Sequence, residues 1–316
     1  MPKYRDQLPQ LSGRLFLTDG GLETTLIFHE GVELQHFASF DLLKTAAGAA
    51  RIRDYYERYI AIAKHNGAGF VLEGATWRAN PDWAEKLGYS RAELAVANRA
   101  AVDLMVELRD AHESERMPIV ISANIGPRGD GYKIDKAMTA AEAEDYHGWQ
   151  VSVFRDTEAD LVSAFTINYA EEGIGVVRAC RKAGIPSVIS FTVETDGSLA
   201  SGQTIRDAIE QTDRETGNAP VYYMLNCAHP THFADALRKG EAWTARLRGL
   251  RANASMRSHA ELDAAADLDI GDPADLGRRY NALRRQFGHF CVLGGCCGTD
   301  HRHVEQISLA CMPVAA

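Results

Sequence analysis

The chain has no run of eighteen apolar residues, so nothing in it is long enough to cross a bilayer as a helix. It also lacks a basic excess. Its 34 Lys and Arg residues are outnumbered by 43 Asp and Glu, for a formal charge of −9. A net charge of that sign argues against binding to a nucleic-acid backbone or an anionic membrane, both of which need a basic face. Met1 to Arg14 mixes polar and charged residues without the apolar stretch of a secretory leader. The expected compartment is therefore the cytoplasm, where thiols stay reduced. No Gly-x-Gly-x-x-Gly opens a helix behind the first strand candidate, which argues against a dinucleotide-binding fold. A linker rich in Pro, Gly or Ser is missing too, as is any short repeat, so residues 1–316 read as one domain. Self-association is left open.

What the chain does have is alternation. Hydrophobic residues make up 46% and charged residues 24%, as expected for a globular protein. Short apolar or β-branched runs at Leu15–Thr18, Phe70–Leu72, Ile119–Ala123, Leu161–Phe165, Ser187–Thr192, Val221–Leu225, Leu247–Arg251 and Phe290–Leu293 read as strands. Between them lie helical patterns such as Ala46–Asn66, Arg91–Glu115, Ala140–Glu158 and Asp275–Phe287. Ser90 with Glu93, and Thr139 with Glu142, have the spacing of capping boxes. Asn66-Gly67 and Ala183-Gly184 offer left-handed stops. Eight strand–helix units predict an α/β fold, a single-domain (β/α)₈ TIM barrel.

In such a barrel the chemistry sits where strands end. Asp19-Gly20-Gly21, Glu73 to Trp77, Asn226-Cys227 and Gly294-Gly295-Cys296-Cys297-Gly298 all fall there. Six cysteines in a reducing compartment do not form a disulfide framework. Cys227 follows the sixth strand, and Cys296 and Cys297 follow the eighth, in a turn whose glycines leave room for both sulfurs to face one centre. Three thiolates suit Zn²⁺, and three protein ligands leave a fourth position for a substrate. His229, His232, His301 and His303 lie close in sequence and read as surface or supporting groups. Cys180, Cys291 and Cys311 read as core residues.

Asp19-Gly20-Gly21, Gly126-Pro127-Arg128-Gly129, Asn226-Cys227 and Gly294 to Thr299 resemble the homocysteine S-methyltransferase family, over about Leu15 to Ile307. The resemblance implies a TIM barrel, a Cys₃ zinc site and transfer of an activated methyl group to a thiolate. It implies that Asp19 contacts the amino-acid part of the thiol; Asp19, Glu73 and Asn226, all at the mouth, are the candidate catalytic residues, Asp19 and Glu73 also candidate substrate contacts. Thr76, Trp77, Phe165 and Thr166, on the same rim, are further candidate substrate contacts. This chain departs from the family pattern twice. Phe165-Thr166 stands where the family carries Glu-Thr, whose carboxylate binds the homocysteine ammonium. Glu73 brings a carboxylate to strand two.

Either Glu73 replaces the lost charge and keeps an ammonium-bearing acceptor such as homocysteine, or the acceptor is a different thiol and Phe165 lines a less polar pocket. The alternative to both has Glu73 pointing away and pairing with a neighbour such as Arg78. A sequence without a cobalamin or folate domain points to a small onium donor: S-methylmethionine, S-adenosylmethionine, betaine or a relative. Trp77, Tyr132, Phe28 and Phe165 could hold its cationic methyl groups against aromatic faces. A zinc lyase or hydrolase, and a non-catalytic thiol-binding protein, are the other readings of the same barrel. The division of the cysteines is testable by metal analysis. Serine at Cys180 or Cys311 should leave zinc content unchanged, whereas serine at Cys227, Cys296 or Cys297 should abolish or greatly weaken it. Normal zinc in all three of the latter variants would overturn the ligand set.

Overall fold

Burial on both faces turns the apolar runs into strands. In the computed structural model, which describes residues 1–312, these are β1 (Phe16–Leu17), β2 (Gly69–Glu73), β3 (Ile119–Ile125), β4 (Leu161–Ile167), β5 (Ser187–Phe191), β6 (Tyr222–Asn226), β7 (Leu247–Ala252) and β8 (Val292–Gly295). Each pairs in parallel with its sequence neighbours, and β1 pairs with β8, so the sheet closes in chain order. The fold is the (β/α)₈ barrel that the alternation predicts. Phe16, Val71, Val120, Leu161, Val188, Tyr222 and Val292 share one apolar cluster inside the ring. The larger core lies between the strands and the surrounding helices.

The helix signals act as the spacing predicts. Ser90 and Thr139 each accept from the N–H three residues on, and Glu93 and Glu142 bond back. Gly67 and Gly184 take φ of 66° and 70° at the ends of helices Ala46–Asn66 and Ala170–Ala183. Helices Arg91–His112 and Ala140–Arg155 stop three residues short of the stretches expected. Glu113 leaves the helix to accept from Tyr4 Oη and the Ile119 N–H, and Glu158 to pair with Arg109. Helix Pro273–Gln286 starts two residues early, because Asp272 caps it and Pro273 suits its first turn.

The barrel is closed at the end where its strands begin. Leu8 joins the interior cluster, and the carbonyl of the fully buried Gln10 accepts from Cys291 Sγ. The other end, where strands run out into loops, stays open. Among the described residues no helix is long and apolar enough to cross a membrane.

Strand β8 departs from the reading most usefully. It was expected over Phe290–Leu293 but continues to Gly295, whose N–H donates to the Asp19 carbonyl. Glycine permits this. A Cβ on Gly294 would collide with the Thr18 side chain and stand 2.7 Å from the Asp19 carbonyl oxygen. Gly294→Ala should therefore cost about 1–3 kcal/mol, the ordinary penalty of overpacking. Urea denaturation checks this, and an unchanged midpoint would show that the mouth can relax around the methyl group.

Candidate active site and metal centre

Strand β7 lies between the strands that carry the thiols, and its backbone draws them together. The Cys227 N–H donates to the Arg251 carbonyl at 3.0 Å, and the Cys296 N–H donates to the Ala252 carbonyl at 2.8 Å. The Ala254 N–H in turn donates to the Cys297 carbonyl. Cys227 adopts φ of 52°, a left-handed turn rare outside glycine, which lets the chain leave β6 sharply. The three sulfurs lie within 4.8 Å of one another.

Cys227 and Cys296 are joined as a disulfide, while Cys297 is free. The sequence reading expected no disulfide. The physical reason is proximity: thiols brought close enough to share one metal are close enough to bond to each other. When the pair is reduced, the site offers three soft, convergent donors in a glycine-lined turn, a set that fits zinc. None of the four nearby histidines joins this cluster. His229 caps helix Pro230–Phe233, and His303 bonds Asp300 and the Ile270 carbonyl.

Supporting groups surround the sulfurs. Asn226 accepts from the Thr166 N–H and from Ser190 Oγ, and its Nδ2 donates to Thr166 Oγ1 at 3.0 Å and faces Cys296 Sγ at 4.0 Å. It thus fixes Thr166, which itself sits at φ of 63°. Asn253 Nδ2 and His259 Nε2 reach the Cys227 carbonyl, at 2.9 and 2.6 Å. Tyr132 stacks on His259 with centroids 4.0 Å apart, its hydroxyl 3.6 Å from Cys297 Sγ. Sequence reasoning missed His259. The usable signal was Ser258 with Glu261, a capping box that sets His259 at the start of a helix facing the mouth.

A cavity of about 390 Å³ opens beside the thiols. Asp19, Glu73, Trp77, Phe165, Thr166 and Asn226 all line it. Thr76 does not. It is buried with its hydroxyl donating to the Asn124 carbonyl at 2.7 Å, which ties the β2 loop to β3.

The charges are arranged around a residue that the motif reading passed over. Arg251, at the end of β7, reaches Asp19 Oδ1 at 2.6 Å, Thr18 Oγ1 at 2.9 Å and the Gly20 carbonyl at 3.1 Å. Tyr55 donates to the other oxygen of Asp19 at 3.0 Å. The Arg251 guanidinium also lies 5.2 Å from the Phe165 ring centroid. Glu73 is 3% exposed, and its Oε2 has no hydrogen-bond partner. Burial pushes its carboxyl up to about 7, with Asp19 adding to the rise and Arg251, Ser122 and Ser163 opposing it. The expected alternative, Glu73 paired with Arg78, is not formed: Arg78 bonds the Gly129 carbonyl instead.

The family model described as homocysteine S-methyltransferase matches residues 16–311. Among solved structures, the homocysteine methyltransferase MmuM from Escherichia coli in its oxidized form superposes with a TM-score of 0.75 at 20% identity. The match covers 94% of this chain and 96% of that one. Its metallated and apo forms match over the same shares, with TM-scores of 0.72 and 0.65 at 18% and 17% identity. At such identity the likeness is one of fold. No curated protein sequence matches the chain significantly.

Glu73 offers a measurement independent of any likeness. A carboxyl raised in the folded state binds its proton more tightly there than in the unfolded chain, so it opposes folding as pH rises from about 4.5 to about 7. Glu73→Gln removes that titration. Its stability relative to wild type should rise across this window, by on the order of 3 kcal/mol in total, and stay level above it. A difference between the two proteins that does not vary between pH 4.5 and 7 contradicts the assignment.

Proposed function

The chain belongs to the homocysteine S-methyltransferase family, and from that we propose that it moves a methyl group from a small onium donor to a homocysteine thiol held at a zinc ion. The observation that carries this reading is the meeting of three sulfurs beside a cavity that also holds an unpartnered buried carboxylate. Reduced Cys227, Cys296 and Cys297 are the zinc ligands. Zinc bound there would hold the substrate sulfur as a thiolate at neutral pH, which is the nucleophile that methyl transfer needs.

The remaining work falls to side chains. Glu73 Oε2 takes the acceptor's ammonium, supplying the charge that Phe165 does not. An arriving cation draws Glu73 into its ionised form, and the proton goes to solvent through the open mouth. Asp19 is already engaged by Arg251 and Tyr55, so its part is to hold the Arg251 guanidinium in place beside the acceptor. Phe165 gives the acceptor's methylenes an apolar wall. Trp77, Tyr132 and Phe28, all on the cavity wall, present aromatic faces to the onium centre. Asn226 keeps Thr166 and the Cys296 sulfur in register from below. A reducing cytoplasm keeps Cys227 and Cys296 available as thiols.

Metal analysis and X-ray absorption test this. The reduced protein should bind about one zinc per chain with three sulfurs and one lighter ligand, and added homocysteine should convert the shell to four sulfurs. The oxidised protein should bind little zinc. Mass spectrometry should show methionine formed from homocysteine with an onium donor. A sulfur count that homocysteine leaves unchanged would defeat the proposal. Chelation should end activity while far-ultraviolet circular dichroism stays the same, since a 316-residue core does not need one ion to stay folded.

A further inference from the structure

The methyl-transfer reading leaves Arg78 without a task. This residue follows Trp77 on the loop beyond β2, lines the cavity and is 8% exposed. Its guanidinium is clamped between two indoles, 4.1 Å from the Trp77 ring centroid and 4.0 Å from that of Trp83. Nη1 donates to the Gly129 carbonyl at 2.6 Å, and the buried Nε has no partner. Among the described residues no carboxylate comes within ion-pair distance. Asp130 and Glu23, the acids whose charge it feels, spend their hydrogen bonds elsewhere: Asp130 on the N–H groups of Tyr132 and Lys133, Glu23 on Ser39.

A buried guanidinium normally meets an anion, because desolvating the charge is costly and the planar fork is lost on a single carbonyl. Here the cost shows: burial pulls Arg78 down to about 10. The stack fixes the fork's plane, and the open cavity is where an anion can reach it. We propose that Arg78 is the residue that binds the carboxylate of the methyl donor. This rests on the methyl-transfer reading.

The assignment to donor and not acceptor follows from position. Arg251, Asp19 and Glu73 stand at strand ends near the thiols and answer the charges of an amino-acid thiol. Arg78 stands instead on the loop beyond β2, bonded to the Gly129 carbonyl and against Trp83 of helix Pro81–Lys86. An onium centre against Trp77 would leave its carboxylate within reach of the adjoining Arg78, while its methyl group pointed inward. The cavity must hold two molecules at once, which favours a compact zwitterion.

Calorimetry on the reduced, zinc-loaded protein tests this with glycine betaine, dimethylsulfoniopropionate and S-methylmethionine, each beside its carboxyl methyl ester. Esterification removes the anion and keeps the onium charge. For at least one acid, wild type should bind the ester about ten- to a hundredfold more weakly, the worth of one charge-assisted contact. In Arg78→Gln that acid should fall to the level of its ester, while ester and homocysteine affinities stay unchanged. Equal binding of acid and ester in wild type, or no binding by any of the acids, overturns the proposal. A loss confined to homocysteine in Arg78→Gln assigns the residue to the acceptor and also overturns it. The two claims fail separately. Methyl transfer from trimethylsulfonium as efficient as from any of the acids would leave the transferase reading standing without this one. Carboxylate-dependent binding without transfer to homocysteine would do the reverse.

Discussion

Two backbone hydrogen bonds at the end of β7 govern the mouth of this barrel. They hold the Cys227 and Cys296 amides against consecutive carbonyls, those of Arg251 and Ala252, and so bring together sulfurs 69 residues apart in the chain. The same residue, Arg251, sends its side chain across the ring to Asp19 on the far side of β8. One strand end thus sets both the sulfur cluster and the charge pattern. A parallel sheet permits this arrangement, because every strand finishes at the same rim.

The charge pattern is a balance of buried ions. Arg251 faces two acids, and only one of them is hydrogen-bonded to it. The Asp19 pair is saturated by Thr18, Tyr55 and the Gly20 carbonyl, which is what a buried pair needs to offset its desolvation. Glu73 is left with an unpaired oxygen and a carboxyl poised near neutrality. Native interiors rarely leave polar atoms in that condition, and one that lines a cavity marks a candidate binding position.

Much of this was legible in the sequence, and the limits of that legibility are physical. The strand–helix alternation and the glycines around Cys296 and Cys297 are local signals, and they located the barrel and the thiols. The cavity positions of Asp19, Glu73 and Phe165 followed from strand ends alone. The Arg251–Asp19 pair was not legible, because it spans 232 positions and depends on β7 and β1 flanking β8. Thr76 was misread for a related reason: a hydroxyl at a strand end can face the ligand or the neighbouring strand, and only the register with β3 decides. Proximity also produced the Cys227–Cys296 disulfide, since the convergence that serves a metal serves oxidation as well.

Closure of the barrel's lower end by Leu8 and Gln10 has a kinetic corollary. A site with one door cannot fill or empty in any order. If the acceptor sits deep against the thiols and the donor lies above it, the thiol must enter first. The methylated product then stays trapped until the spent donor leaves. Turnover would be sequential and ordered, with the donor-derived product released ahead of the thioether. Product-inhibition patterns competitive only between thiol and thioether would carry that signature, and random-order patterns would speak against the layered site.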